Sequence, residues 1–284
     1  FVSPDQQRDL QVRYERELSK YRNLPQPRII AVDNHVDLRP ETQTVTIDAD
    51  WTIRNPHAVP INDIHVSMGD DRELIRVDLG GQTLSYHDVA LGYRIYRLAT
   101  PLQPGEQRTV HFRVEQKPKG ITAGQAPSNI VDNGTFFNSG MLPSFGYDEN
   151  SELKDRNERR KRGLGEPTRM PKLEDDAARA NNYVSNDADW LDFRTTICTA
   201  PDQVALAPGY LQKEATVDGR RCFSYAMDRP MLNFYAYLSA RWQVKKGMYK
   251  DIPIEVYYDP AHAFNVDRMI EAVQKSLAYY EANF

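Results

Sequence analysis

Three kinds of residue in this sequence could carry out chemistry, and none occurs in a recognised catalytic arrangement. The histidines are scattered, with no H-E-x-x-H pair and no cysteine–histidine cluster of the kind that binds zinc. Ser144 lies in LPSFG, which lacks the first glycine of a G-x-S-x-G nucleophile elbow. The adjacent carboxylates Asp148 and Glu149 are weak candidates for acid–base chemistry, because neighbours in sequence often point apart. The sequence therefore predicts no catalytic centre and no cofactor within these 284 residues.

Composition and charge indicate a folded globular chain that does not bind nucleic acid. Hydrophobic residues make up 40% of the sequence and charged residues 27%, a balance typical of proteins with a packed core. The formal net charge is −4, so the overall field offers no attraction for a polyanion. No stretch approaches the roughly 18 apolar residues of a transmembrane helix. The chain begins at Phe1 rather than Met, and we expect both ends to be cut from a longer protein.

Most of the sequence carries the patterns of β-strands. In TVTIDADWTIR, apolar and polar residues alternate without interruption from Val45 to Ile53, which is the period of a half-buried strand. Shorter patterns of the same kind occur along the chain, and turns rich in Pro and Gly separate them. Many short strands with no helix between them favour antiparallel sheets over a parallel α/β fold. The predicted fold is therefore mainly β, an antiparallel sandwich or saddle over residues 25–262.

A helix is predicted at each end of this β region. At residues 1–24, Ser3 as N-cap, Pro4 and Gln6 form a capping-box start, and LPQP ends an amphipathic helix. At residues 263–284, apolar residues recur every three or four positions, with Asn265 as the predicted N-cap. This second helix reaches the last residue without a Gly or Pro stop signal, so we expect it to start a domain that is missing here.

A polar insertion at residues 149–182 interrupts the strand patterns. A stretch of this length is either a functional loop or a mobile excursion. The run RNERRKR, from Arg156 to Arg162, contains five basic residues. One hypothesis is a contact with anionic lipid or an acidic partner. The hypothesis we favour is a solvated loop whose charges, including the following LEDD, balance one another locally.

The chain has two cysteines, Cys198 and Cys222, and both lie in stretches predicted to be strands. A disulfide between them would fit an oxidising compartment. Two buried free thiols fit the sequence equally well, so the pairing stays open.

The order of the strand motifs is similar to that of the N-terminal β domain of zinc aminopeptidases of the aminopeptidase N superfamily. That domain opens with a Leu-x-Leu-x-Pro-Glu strand, continues through P-L-x-P-G-E and carries an f-P-x-F-D-E-P element further on. The stretches that match here are VDLRPETQTVTIDADWTIRNPHAVPINDIHV, TPLQPGEQRTVHFRVE, LPSFGYDE, DFRTTICTAPDQVALAPG and MDRPMLNFYAYLSARWQV. Each motif is loose by itself, but the five occur in the right order over roughly residues 30–260.

The resemblance implies both a function and a missing partner. In that superfamily the β domain is followed by a thermolysin-like catalytic domain that contains the H-E-x-x-H zinc site, and SLAYYEANF is similar to its first helix. This chain then corresponds to the non-catalytic N-terminal part of a metallopeptidase, with zinc expected only in the missing catalytic domain. Its expected partners are that catalytic domain and the N-terminus of a peptide substrate.

The resemblance also suggests substrate-binding residues. In active members the β domain supplies a Gln or Glu, shortly before the f-P-x-F-D element, that binds the free amino group of the substrate. The matching stretch VDNGTFFNSGM has neither, so the candidates are Asp132, Asn133 and Asn138. Asp132 comes first because a carboxylate pairs with an ammonium through charge-assisted hydrogen bonds. Asn-Gly is also a turn dipeptide, and Asp132 could instead shape that turn.

Two segments resemble one branch of this group. YRNLPQPRI and NGTFFNSGMLPSFGY are similar to the peptidase portion of bacterial membrane proteins that join an ABC-type permease to an aminopeptidase-like domain. This implies a permease portion before Phe1 and a domain at the periplasmic or extracytoplasmic face of the bacterial inner membrane. The alternative function is a peptidase-derived interaction module of an ABC-type transporter, without peptidase activity.

Overall fold

The computed structural model describes residues 3–69, 72–118, 129–176, 178 and 189–284. The first group of strands is β1 (Arg28–Arg39), β2 (Thr44–Arg54), β3 (Ile61–Ser67), β4 (Glu73–Asp78), β5 (Gln82–Asp88), β6 (Tyr93–Leu102), β7 (Gln107–Gln116), β8 (Thr135–Asn138) and β9 (Ser144–Phe145). The later strands are β10 (Trp190–Thr199), β11 (Val204–Leu206), β12 (Tyr210–Val217), β13 (Arg220–Ala226), β14 (Met231–Leu232), β15 (Ala236–Ala240), β16 (Gln243–Tyr249) and β17 (Ile252–Tyr258). The α-helices are α1 (Pro4–Leu18), α2 (Arg156–Lys161) and α3 (Val266–Asn283). Short 3₁₀ helices lie at Ser19–Tyr21, Pro40–Thr42, Ser139–Met141, Glu149–Ser151 and Pro260–Asn265.

The fold is mainly β, as predicted, and strand β2 follows its sequence pattern closely. Its inward-facing residues, all almost completely buried, are Val45, Ile47, Ala49, Trp51 and Ile53. The alternate residues Asp48 and Asp50 face solvent on the other side of the sheet. Alternation of this kind places one face of a strand on the core.

The large sheet is mixed, because one of its strand pairs is parallel. Among the described residues its strand order is β12-β13-β10-β1-β2-β7-β4, with β14 paired to one end of β10. Strands β1 and β10 run parallel, with Ala31 opposite Asp192 and Asp37 opposite Cys198. The chain passes through the smaller sheets between these two strands. A parallel pair needs such a long connection, and no local sequence pattern reveals it.

The main hydrophobic core lies between the large sheet and two smaller ones. The smaller sheets have the orders β5-β6-β3-β9 and β11-β15-β8. Trp51 and Phe112 come from the large sheet and meet Phe145 of β9, with ring centroids 5.0–6.2 Å apart. Tyr237 of β15 is also completely buried in this core. Aromatic pairs at these separations stabilise the packing of the two layers.

Helix α1 packs on the outer face of the β5-β6-β3-β9 sheet. The predicted capping box is present, because the Ser3 hydroxyl accepts from the Gln6 amide and the Gln6 side chain accepts from the Ser3 amide. Tyr14 and Leu18 of the helix join Tyr93 in a second, smaller core. The helix therefore forms a third layer of the molecule.

Helix α3 packs on the hairpin β16–β17 through Val266 and Ile270. It begins at Val266 as predicted, but Asn265 makes no side-chain cap, because its backbone is already helical at the end of the preceding 3₁₀ turn. Gly247 of β16 lies directly under Ile270. The glycine lets the helix approach the hairpin closely.

Cys198 and Cys222 form a disulfide, one of the two outcomes that the sequence left open. The cysteines are direct partners in the register between β10 and β13. The bond therefore links two neighbouring strands of the large sheet, close to the parallel pair β1–β10.

Candidate functional site

A cleft of about 1030 Å³ opens beside the short strand β9. One wall is formed by the end of β8, the connection to β9 and the segment after β9. The predicted Asn138 is the last residue of β8 and belongs to this wall. The polar insertion forms another wall, and the chain between β14 and β15 forms a third. The main lining segments are residues 138–140, 142–145, 147–151, 168–173 and 233–235.

The floor of the cleft is held by a buried hydrogen-bond network. Trp51 and Tyr235 line the cleft, and both point their polar atoms at the completely buried Asn34. The indole N–H of Trp51 donates to Oδ1 of Asn34 at 3.0 Å, and the Asn34 amide donates to the Tyr237 hydroxyl at 2.9 Å. Thr195 completes the network by donating to the Asn34 carbonyl at 2.7 Å. A satisfied polar network of this kind fixes the positions of its members.

Asn138 lies at the rim of the cleft and shapes it. Its Oδ1 accepts a hydrogen bond from the Gly140 amide at 3.0 Å, which caps the 3₁₀ turn Ser139–Met141. The Ser139 amide donates to the Tyr235 carbonyl at 2.8 Å, so the turn is joined to the floor. One lone pair of the Asn138 oxygen remains for a further donor.

Acidic side chains occupy one end of the cleft. Asp148 caps the 3₁₀ turn Glu149–Ser151 by accepting from the Asn150 amide at 2.9 Å. The Asp148 amide donates to the Tyr14 hydroxyl at 2.8 Å, which connects this end to helix α1. Glu149 pairs with Arg22 at 3.3 Å. These carboxylates hold the wall together through a hydrogen bond and an ion pair.

Asp132 and Asn133 lie away from this cleft, in the turn before β8. The guanidinium of Arg241 donates to both oxygens of Asp132, at 2.9 and 3.3 Å, and the Arg241 amide donates to Asn133 Oδ1 at 2.8 Å. Those hydrogen bonds hold the pKa of Asp132 below its usual range. Asp202 shares the same guanidinium. The structure thus brings Asp132 and Asn133 together at Arg241 and leaves Asn138 at the cleft.

The described part of the insertion is not a free charged loop. Arg159 is buried against Glu15 of α1, and Arg162 pairs with Asp9 of the same helix at 2.9 Å. The prediction of a solvated loop with locally balanced charges is therefore wrong for these two arginines, because Arg159 is buried and α1, not the LEDD stretch, supplies their partners. Residues 177 and 179–182 of the predicted insertion lie outside the described residues.

Sequence reasoning missed two contributors to the cleft. Phe234 lies at the rim and is 55% exposed, whereas its neighbour Tyr235 is buried. The two residues are both aromatic and adjacent, so the sequence pattern does not distinguish the exposed one from the buried one. The segment 168–173 forms a wall, but its polar composition is that of any solvated loop. Only the length of the insertion hinted at a structural role.

Comparison with solved structures shows a shared fold. The crystal structure of an M1 zinc metallopeptidase from Deinococcus radiodurans matches with a TM-score of 0.50 at 12% sequence identity, covering 81% of this chain and 46% of that chain. A mutant of the same enzyme matches with the same TM-score, identity and coverage. The fold is that of the N-terminal domain of M1 metallopeptidases. The chain spans less than half the length of those enzymes, and neither a family model nor a curated protein matches it.

The M1 neighbours are zinc enzymes by name, which implies zinc in their catalytic domain. The described residues of this chain contain no group of three or more His, Cys, Asp or Glu side chains that could hold a metal ion. These residues therefore do not fit a zinc centre. Among the described helices, none has the length and apolar character needed to cross a membrane.

Proposed function

We propose that this chain is the non-catalytic N-terminal domain of a membrane-associated zinc aminopeptidase-like protein, and that its cleft helps to bind the N-terminus of a peptide. One observation carries the proposal: the cleft of about 1030 Å³ is lined by residues 142–145 and 147–149, which belong to LPSFGYDE, the stretch in the place of the f-P-x-F-D-E-P element. Asn138 lies at its rim, shortly before that element. The shared fold supports placing this element at a substrate site.

Asn138 is the candidate amine ligand that the cleft presents directly. Its Oδ1 can accept one more hydrogen bond from an ammonium group. The carboxylates at the end of the cleft, Asp148 and Glu149, favour a positive charge nearby. Asp132 and Asn133 remain candidates, but Asp132 must first exchange Arg241 for the substrate.

A binding experiment on the chain itself tests this proposal. The probes are trialanine amide with a free amino group and its N-acetylated counterpart, followed by NMR chemical shifts. We expect shifts at the cleft with the free amine only, weakened by Asn138→Ala and less affected by Asp132→Ala. Equal binding of the two peptides would remove the proposed amine recognition.

The rest of the parent protein belongs to the same proposal. It comprises a zinc-bearing catalytic domain after this chain, a permease portion before it, and a location at the periplasmic face of the bacterial inner membrane. The disulfide between Cys198 and Cys222 supports an oxidising compartment. We expect the full natural protein to have aminopeptidase activity, and we expect a zinc chelator to abolish that activity.

A second function is favoured by the pairing of Asp132 with Arg241. If that ion pair persists in the parent protein, the first-choice amine ligand is occupied. The domain would then serve as a peptidase-derived interaction module of an ABC-type transporter. A folded full-length protein that binds no zinc and cleaves no aminoacyl substrate would support this second function.

A further inference from the structure

Two ion pairs with buried members join the N-terminal part of the chain to the insertion. The first is Arg159 with Glu15 of α1, in which two N–H groups meet two carboxylate oxygens at 2.7 Å each. The Arg159 side chain is only 3% exposed. The same guanidinium donates to the carbonyls of Leu153 at 2.6 Å and Gly165 at 2.7 Å. One side chain thus fixes both the entry and the exit of α2 relative to α1.

The second ion pair, Arg22 with Glu152, lies one residue away from the cleft wall. The Glu152 side chain is completely buried and accepts from Arg22, from the Tyr147 hydroxyl at 2.9 Å and from the Thr168 hydroxyl at 3.3 Å. Burial alone would raise the pKa of Glu152, but the hydrogen bonds from Tyr147 and Arg22 outweigh it and keep the pKa below the usual value. Tyr147 and Thr168 both line the cleft. The wall segment 168–173 therefore starts at Thr168, whose hydroxyl is bonded to Glu152 of this ion pair.

Further contacts between α1 and the insertion are exposed and weaker. Arg162 pairs with Asp9 at 2.9 Å and with Asp5 at 3.4 Å, and both carboxylates lie in solvent. Exposed pairs of this kind contribute little to stability. A buried pair behaves differently, because removal of one partner leaves an uncompensated charge in the interior. Arg159 therefore ties the insertion to α1, and Glu152 ties the cleft wall to Arg22, which follows that helix. Tyr14 of α1 adds a third connection through the Asp148 amide.

We propose that helix α1 positions the outer wall of the cleft, with Arg159 and Glu152 as positioning residues, so that displacement of α1 opens the cleft. A ligand that needs the wall in place must then stabilise the docking of α1 by the same factor, because coupling between two sites is reciprocal. This coupling depends only on contacts within the chain. It holds whether the cleft binds a peptide amine, as proposed above, or another ligand.

The basic run takes part in this coupling. Arg159 is buried and Arg162 is engaged by α1, so neither is available to an anionic lipid surface while the helix is docked. Arg159 serves instead as the main link between the insertion and α1, and Arg162 adds exposed ion pairs to it.

Distances between spin labels test the coupling without any ligand. Both native cysteines are in the disulfide, so labels attach only to introduced cysteines. One pair combines Met170→Cys on the wall with Val217→Cys on β12, and a second combines Gln7→Cys on α1 with the same reference. We expect a narrow distance distribution for each pair in the parent chain.

The test variants are Arg159→Ala and Glu15→Gln, with Arg159→Lys as the conservative change. Lys161→Ala is the matched control, because Lys161 is 69% exposed and its ion pair is with Glu158 of its own helix. We expect the two test variants to broaden both distributions, Arg159→Lys to restore them in part, and the control to leave them unchanged.

Broadening of the wall pair while the α1 pair stays narrow would overturn the inference, and so would unchanged distributions in Arg159→Ala. Near-UV circular dichroism confirms that each variant is folded. If Arg159→Ala fails to fold, Glu15→Gln and Arg159→Lys decide the outcome in the same way. Failure of the peptide-binding experiment leaves these distances unaffected, so the two proposals can be judged separately.

Discussion

The indole N–H of Trp51 and the side-chain oxygen of Asn34 are 3.0 Å apart in the middle of the core, on neighbouring strands β2 and β1. This bond joins the interior to the candidate site, because Trp51 belongs to the cleft floor and Asn34 also holds the hydroxyl of Tyr237. Burial raises the pKa of Tyr237 to about 12, so its hydroxyl stays protonated in the network. The network therefore attaches the floor of the cleft to the sheet beneath it.

Replacement of Asn34 by Ala should destabilise the fold by about 3 kcal/mol, because it leaves the buried N–H of Trp51 without an acceptor and removes a donor to Tyr237. Urea unfolding followed by tryptophan fluorescence measures the change. His35→Ala is the control, since His35 is on the same strand but 59% exposed. A loss below about 1 kcal/mol for Asn34→Ala would contradict the assigned role.

His65 should make the fold weaken in mild acid. It is almost completely buried beneath α1, with Nδ1 2.8 Å from the Tyr93 hydroxyl and its ring against Tyr21. Burial lowers its pKa from 6.5 to about 4, although the nearby Asp63 opposes this shift. Below pH 6.5 the unfolded chain binds a proton that the folded chain does not, so stability falls until about pH 4. The depressed pKa corresponds to a loss of about 3 kcal/mol over that window.

The measurement is the free energy of unfolding at several pH values for the parent chain and for His65→Gln. Carboxylates contribute to both curves, so the difference between them isolates His65. The parent should lose more stability than the variant between pH 6.5 and 4. Parallel curves would mean that His65 is protonated without cost in the folded chain.

Local patterns in the sequence predicted the local structure well. The alternation of β2 and the capping box at Ser3 depend on neighbouring residues only, and both are present in the structure. Pairing between distant segments was not visible. The parallel alignment of β1 with β10 depends on the path of the whole chain between them, and no residue of either strand specifies it.

The candidate site was predictable only in part for a similar reason. The order of motifs pointed to the region of Asn138, which the cleft includes. The pairing of Asp132 with Arg241 joins residues 109 positions apart, so the turn sequence could not show it. Arg159 looks like any other member of its basic run, because burial of a charge depends on a partner elsewhere in the chain.

Loss of the disulfide should weaken the fold without changing the strand order. Cys198 and Cys222 are 24 residues apart, and a loop of that size contributes about 3 kcal/mol in the chain-entropy model. The double variant Cys198→Ser/Cys222→Ser should therefore unfold at a lower urea concentration than the oxidised parent. Dithiothreitol should lower the parent's midpoint and leave that of the double variant unchanged. If dithiothreitol leaves the unfolding midpoint of the parent chain unchanged, the disulfide adds no stability.

A side chain at Gly247 should separate helix α3 from the hairpin β16–β17. A Cβ at this position would lie 2.5 Å from Cγ2 of Ile270, which is β-branched and cannot turn away without leaving its place. Overpacking of this kind costs about 1–3 kcal/mol.

Gly247→Ala should therefore increase hydrogen exchange of the α3 amides while the exchange of the large sheet stays unchanged, since α3 packs on the hairpin with Val266 and Ile270 as its buried residues. Gly165→Ala is the matched control, because a Cβ there meets open space. Unchanged exchange in α3 of the Gly247→Ala variant would show that the helix is not held by this contact.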